Sequence, residues 1–145
     1  MRWEGPGGYF ASDDDALVNL ARVHAWMSAE SYWAAGRSYD VMARAVQNSL
    51  NIGLYAADGD QVGFARWVTD YATFGWLCDV FIDSRHRGRG LGTFLVRTAV
   101  DHPAVRDVRQ VLATTPERTL YRREGYVDLI HPERWQERPP RPSAR

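Results

Sequence analysis

Residues 84–96, SRHRGRGLGTFLV, constrain this 145-residue chain more than any other segment. Three glycines one residue apart, Gly88, Gly90 and Gly92, stand between an apolar run, YATFGWLCDVFID, and residues Leu91, Phe94, Leu95, Thr98 and Ala99 at helical spacing. A strand that passes through such a turn into a helix gathers unobstructed backbone N–H groups and the positive end of the helix dipole at one point, which makes an anion site. Phosphate is its natural guest. The glycines remove side chains that would block approach, and Arg85, Arg87 and Arg89 add charge-assisted attraction.

What the rest of the chain lacks narrows the ligand. A P-loop needs a lysine at the end of its glycine run, and all 18 Lys/Arg positions here are arginine, so that reading fails. A dinucleotide fingerprint places its third glycine where Thr93 stands, and the turn follows an antiparallel meander instead of opening a βαβ unit. An arginine–glycine arm for nucleic acid would be repetitive, whereas this turn occurs once between apolar elements. Eighteen acidic residues cancel the arginines, so overall charge draws the chain to neither nucleic acid nor membrane. One cysteine, Cys78, and four scattered histidines give no disulfide framework and no zinc-ligand spacing, and a metal is not expected. The N-terminus lacks the apolar core of a signal peptide and no run suits a membrane span, which makes the cytoplasm the default location.

The order of elements follows from periodicity and turn chemistry. Residues 1–8 read as a flexible lead-in, residues 9–136 as one domain and residues 137–145 as a flexible proline- and arginine-rich tail. A short strand is expected around residues 9–11. SDDD then offers an N-cap for a helix carrying Leu17, Leu20, Ala21, His24 and Met27. A second helix runs over residues 39–49 with Val41, Met42, Ala45 and Val46 as its stripe. Alternating runs on either side of Asp58–Asp60 form a hairpin, and the apolar run before the glycine turn is the next strand, with Gly75 as its bulge site. After the glycine turn and its helix, VRQVLATT is a strand, Pro116 opens a helix to Glu124, Gly125 caps it, and YVDLI is a last short strand.

This order, together with two motifs, resembles the GCN5-related N-acetyltransferase (GNAT) family. The family pattern [QR]-x-x-G-x-[GA] is matched by Arg85, Gly88 and Gly90, and a tyrosine followed by x-x-x-G-[FY] is matched by Tyr121, Gly125 and Tyr126. The resemblance covers roughly residues 9–130, and SYWAAGRS, GFARWVTDYATFGWLCDVFI and HRGRGLG look like small bacterial members. It implies an α/β fold, a mixed and mostly antiparallel sheet flanked by helices and splayed between the fourth and fifth expected strands. It also implies acetyl-CoA as co-substrate, with its pyrophosphate on Arg85, Arg87, Gly88, Arg89, Gly90, Leu91, Gly92 and Thr93. The backbone at Phe81 and Ile82 would hold the pantetheine arm. One departure stands out: where such relatives tend to read DAHGLY, this chain has PERTLY, directly before the family tyrosine.

The implied reaction moves an acetyl group to a primary amine of a small molecule or peptide by direct transfer in a ternary complex. Tyr121 is the candidate general acid, since a phenol with an ordinary pKa of about 10 can donate to a departing thiolate. Asp79 is the candidate base, with Glu30 and Asp70 as rivals and a water relay as a further route. Glu30, Tyr32, Trp33 and Arg37 lie in the stretch that overhangs the acceptor pocket in the family, where an aromatic cluster plus arginine suits an amine carrying a carboxylate. Trp33 and Tyr39 read equally as core aromatics. Homodimerisation is an expected assembly. The alternative from another class is a non-catalytic acyl-CoA-sensing module, and an RNA surface on the arginine turn is a third reading, marked by steep salt dependence.

Overall fold

The computed structural model describes residues 1–30 and 36–142. Six strands form one sheet in sequence order: β1 (Arg2–Glu4), β2 (Phe10–Ser12), β3 (Leu50–Tyr55), β4 (Gln61–Thr69), β5 (Phe74–Ile82) and β6 (Arg109–Val111). All neighbours pair antiparallel except β5 and β6, which run parallel. Helices α1 (Leu20–Glu30) and α2 (Tyr39–Gln47) lie between β2 and β3, α3 (Leu91–Val100) between β5 and β6, and the short α4 (Leu120–Arg123) after β6.

Alternation along the strands divides the core into two layers. Ala65, Trp67 and Leu77 join Leu95, Val96 and Ala99 of α3 on one face. Phe64 and Phe81 join Val23, Trp26, Met27 and Met42 of α1 and α2 on the other. Trp67 is fully buried and its Nε1 donates to the Ala99 carbonyl at 3.1 Å, so the indole satisfies its polar edge while fixing α3 against β4.

Several sequence expectations change. Residues 1–8 are not a loose lead-in: β1 pairs with β2 from Arg2↔Ser12 to Glu4↔Phe10. Of the SDDD carboxylates Asp14 alone acts as a cap, and only of a 3-10 turn, Asp15–Leu17, while α1 starts later, where Asn19 Oδ1 accepts from the Arg22 amide at 3.0 Å. Val23, Trp26 and Met27 rather than Leu17 therefore make its buried stripe. α2 falls where expected, with Ser38 as N-cap, although Val41 is exposed. The helix expected from Pro116 shrinks to Leu120–Arg123. YVDLI forms no strand: Tyr126 is fixed to β6 through its hydroxyl, which donates to Gln110 Oε1 at 2.9 Å, and Val127 and Ile130 face solvent with no layer to cover them.

The irregularity that shapes the cleft lies not at Gly75 but further along β5. Phe64 pairs with Phe81 and Arg66 with Cys78, so Ala65 faces both Asp79 and Val80. Asp79 takes the extra place with φ at 52°, a left-handed conformation that costs a non-glycine residue free energy unless its surroundings hold it. Gly75 instead makes room for Trp67, since a Cβ there would stand 3.0 Å from Cε3 of that indole. Beyond Trp76↔Val111 the two parallel strands part, and β5 continues to Ile82 without β6 beside it. This opening is the splay expected between the fourth and fifth strands, which β1 shifts to fifth and sixth.

Candidate active site

At the C-terminal end of β5, Asp83 starts a 3-10 turn, Ser84–His86, by accepting from the Arg85 amide at 3.0 Å. The Arg85 guanidinium folds back onto the same carboxylate at 2.9 and 3.2 Å and holds its pKa down at about 2. Gly88 and Gly90 follow with φ of 79° and 75°, a backbone that side chains with a Cβ rarely adopt. Gly90 caps α3, and the first helical bond is donated by the Phe94 amide to the Gly90 carbonyl at 3.1 Å. The amides of Leu91, Gly92 and Thr93 precede that bond, so the helix itself gives them no acceptor.

The arginines of the turn hold the loop in shape. Arg87 Nε donates to the Ile82 carbonyl at 3.0 Å, with its guanidinium carbon 5.2 Å from the Phe81 ring centroid. Arg89 donates at 2.9 Å to the Tyr9 hydroxyl, which also lies 2.8 Å from His86 Nδ1. Tyr9, from the turn before β2, thus ties two points of the loop to the other end of the chain. No local sequence signal marks it for that role.

A cavity of about 470 Å³ lies between this loop and the splay, lined by Val80, Ile82, Gly88, Gly90, Leu120 and Tyr121 among others. A Cβ built on Gly88 or Gly90 would meet nothing within 4 Å, so the space above the loop is open to a ligand. A helix N-terminus whose first amides have no intrahelical acceptor, and a cradle that no neighbouring atom crowds, fit a diphosphate group. Phe81, Arg87, Leu91 and Gly92 also border this cavity. The Phe81 ring itself packs 5.5 Å from Trp26 in the α1–α2 layer, so Phe81 offers the cavity mainly its backbone. Arg85, Arg89 and Thr93 do not line it.

Tyr121, 7% exposed on α4, borders both this cavity and a second one of about 290 Å³ on the other side of the splay. Its ring stands edge-on to Tyr126 at 6.1 Å. The second cavity is lined by Trp76, Cys78, Val80, Thr115, Arg118 and Tyr121 among others. Burial pushes the Cys78 thiol up to about 12, which leaves it almost no thiolate to act as a nucleophile.

Two of the carboxylates expected as bases, Asp79 and Asp70, are engaged elsewhere. Asp79, whose side chain is 1% exposed, accepts at Oδ2 from Arg37 Nη1 and Arg66 Nε, each at 2.8 Å. Arg66 also donates to Ser49 Oγ at 3.0 Å. Two guanidinium groups share one carboxylate oxygen there, and Asp79, expected as a base, stands as the anchor of the β5 bulge. Arg37, expected as an acceptor contact, belongs to the same anchor. Its carbonyl also bonds His24 Nε2 and Ser28 Oγ at 2.8 and 3.1 Å, joining α1 to the same junction. Asp70 accepts from the amides of Ala72, Thr73 and Phe74 and from Thr73 Oγ1, which hold it far below the usual carboxylate range and make it a turn cap. Tyr32, Trp33 and the Glu30 side chain lie outside the described residues. Among the described residues no group of His, Cys, Asp and Glu can hold a metal ion, and no helix is long and apolar enough to cross a membrane.

Residues 49–128 match the family model described as Acetyltransferase (GNAT) domain. A crystal structure from Xanthomonas campestris pv. campestris, of a protein assigned by inference to the GNAT acetyltransferases, is 36% identical with a TM-score of 0.87, covering 92% of this chain and 94% of that one. A Gibberella zeae protein named for an inferred acetyltransferase activity is 31% identical over 109 residues, 63% of this chain, and the chain spans 62% of that relative's length. A Clostridium acetobutylicum protein solved with acetyl-CoA, named an acetyltransferase by inference, shares the fold at 14% identity, with a TM-score of 0.66 over 96% of each chain. Motifs, strand splay and the matched domain agree, and the chain belongs to the GNAT family.

Proposed function

We propose that this chain is an acetyl-CoA-dependent N-acetyltransferase that moves the acetyl group directly to a primary amine of a small molecule or peptide. The observation that carries this reading is that cavities on the two sides of the splay adjoin: Val80, Arg118 and Tyr121 border both the 470 Å³ and the 290 Å³ cavities. A donor held by its diphosphate at the loop has its thioester end in reach of the splay, and an amine entering from the far side meets it beside Tyr121. The relative described with acetyl-CoA supports the choice of donor.

In this reading the amides at residues 88–93 orient the diphosphate, and the parted edge of β5 offers backbone groups to the donor's arm. The amine nitrogen forms a bond to the acetyl carbonyl carbon as the carbon–sulfur bond breaks. Tyr121 gives its hydroxyl proton to the departing sulfur, and the proton lost by the amine restores the phenol through solvent water. The products are an N-acetyl amine and free thiol, so protons balance. Asp79 takes no part in proton transfer; it fixes the bulge that turns β5 away from β6.

The test follows thiol release from acetyl-CoA against a panel of amines, with acetyl-CoA affinity measured in parallel by calorimetry. Amine-dependent release is the expected result. Tight acetyl-CoA binding without release for any amine would make the chain an acyl-CoA-sensing module instead.

A further inference from the structure

A cavity of about 690 Å³ adjoins the splay on its acceptor side and has no place in the reaction described above. It shares Trp76, Leu112 and Ala113 with the 290 Å³ cavity. Its walls are mainly apolar: Val68, Phe74, Trp76, Leu112, Leu129 and Trp135 surround it. Trp76, Leu129 and Trp135 keep 43%, 38% and 40% of their surface exposed along an open groove, where Trp135 also stacks on Phe74 at 6.4 Å and has the Arg109 guanidinium carbon 4.9 Å from its ring centroid. Such a groove suits a bulky apolar group.

The polar end of the passage is equally specific. Arg37 and Arg66 are spent on Asp79, Arg85 on Asp83, Arg87 on the Ile82 carbonyl and Arg89 on Tyr9. Arg118, exposed and three residues before Tyr121, borders the cavities on both sides of the splay, and its guanidinium has no partner among the described residues. It is the arginine of PERTLY, where the sequence departs from its resemblance to small bacterial relatives. An unpaired guanidinium beside the reaction point selects a carboxylate.

We propose that the acceptor is a free α-amino acid with a large apolar side chain. Its amine meets the donor beside Tyr121, its carboxylate pairs with Arg118, and its side chain lies in the groove of Trp76, Leu112 and Trp135. The cation and the apolar walls both favour the neutral, nucleophilic form of the amine. The assignment rests on the acetyltransferase reading, and it replaces Arg37 with Arg118 as the carboxylate partner.

The experiment measures kcat/KM for thiol release with L-phenylalanine, 2-phenylethylamine, glycine and spermidine, using the wild-type chain, Arg118→Gln and Trp76→Ala. Both positions are exposed, so neither change threatens folding. In the wild type, L-phenylalanine should exceed 2-phenylethylamine and glycine by roughly 10- to 100-fold each, the size of one charge-assisted bond or one buried aromatic. Arg118→Gln should erase the preference over 2-phenylethylamine and keep that over glycine. Trp76→Ala should weaken the preference over glycine and keep the other. Acetyl-CoA affinity should stay within about threefold in both variants. Equal or better turnover of 2-phenylethylamine or glycine by the wild type overturns the assignment. So does a loss of acetyl-CoA affinity in Arg118→Gln that accounts for its whole defect. Release with spermidine but not with L-phenylalanine defeats the acceptor class while acetyl transfer stands; no release with any amine removes the enzyme reading itself.

Discussion

The two ends of the cleft are built in opposite ways. The proposed cofactor end is a run of neighbouring residues, 83–93, in which backbone conformation does the work: left-handed glycines, a helix start and amides that precede the first helical bond. The proposed acceptor end is assembled from side chains that are distant in sequence, Trp76, Leu112, Arg118 and Trp135, brought together because β5 and β6 separate after Trp76↔Val111. The difference teaches where specificity can change at low structural cost. A loop made of main chain tolerates little variation, whereas walls made of exposed side chains can be altered without disturbing the sheet.

The sharpest way to break this contrast is at Gly90. Replacement by valine puts a Cβ into the ligand's space and forces a β-branched residue to a φ of 75°. Acetyl-CoA affinity by calorimetry should fall at least ~100-fold, because a misplaced loop loses several charge-assisted bonds together. The circular dichroism spectrum should stay native. Tyr121→Phe sharpens the contrast from the middle of the cleft: kcat should drop by about 10²- to 10⁴-fold, the usual worth of a proton donor, with acetyl-CoA affinity nearly unchanged.

Asp79→Ala tests the acceptor side through its support. Removing the carboxylate leaves Arg66, whose side chain is 8% exposed, without its ion pair, and unfolding should become easier by about 3–5 kcal/mol in denaturant titration. In the folded fraction, amine KM should rise more than acetyl-CoA affinity falls. The smallest effect belongs to Asp83. Its pKa is lowered from 3.8 to about 2 in the folded chain, so the folded form takes up its proton later than the unfolded one. The stabilisation is therefore complete above pH 3.8 and is lost as pH falls toward 2. Because Arg85 is mostly exposed, screening holds it to about 1 kcal/mol, and Asp83→Asn should flatten the acid limb of the stability profile by that amount.

How much was legible in the sequence follows the same divide. The glycine loop and α3 were readable because their signals are local: glycine spacing and an apolar stripe over Leu91, Leu95 and Ala99. The hairpin at Asp58–Asp60 was readable for the same reason, with Gly59 at a φ of 89°. The ion pairs of Asp79 were not readable, because its two guanidinium partners come from residues 37 and 66 and no spacing rule connects them. The Tyr9–His86–Arg89 link is likewise invisible to any short window. YVDLI has strand composition, but a strand also needs a neighbour and a covered face, and its side-chain anchor at Gln110 supplies neither. Arg118 did leave a trace, as the departure PERTLY, although only the fold shows that it borders both sides of the splay.

The central claim, that the main chain of residues 88–93 clasps the diphosphate, is tested most directly by following backbone amides in a nitrogen-15 NMR titration with acetyl-CoA. The account predicts that the amide protons of Gly88, Gly90 and Gly92 show the largest shifts, downfield, and gain protection from exchange. Saturating acetyl-CoA that leaves those three signals in place while shifting amides elsewhere would contradict it.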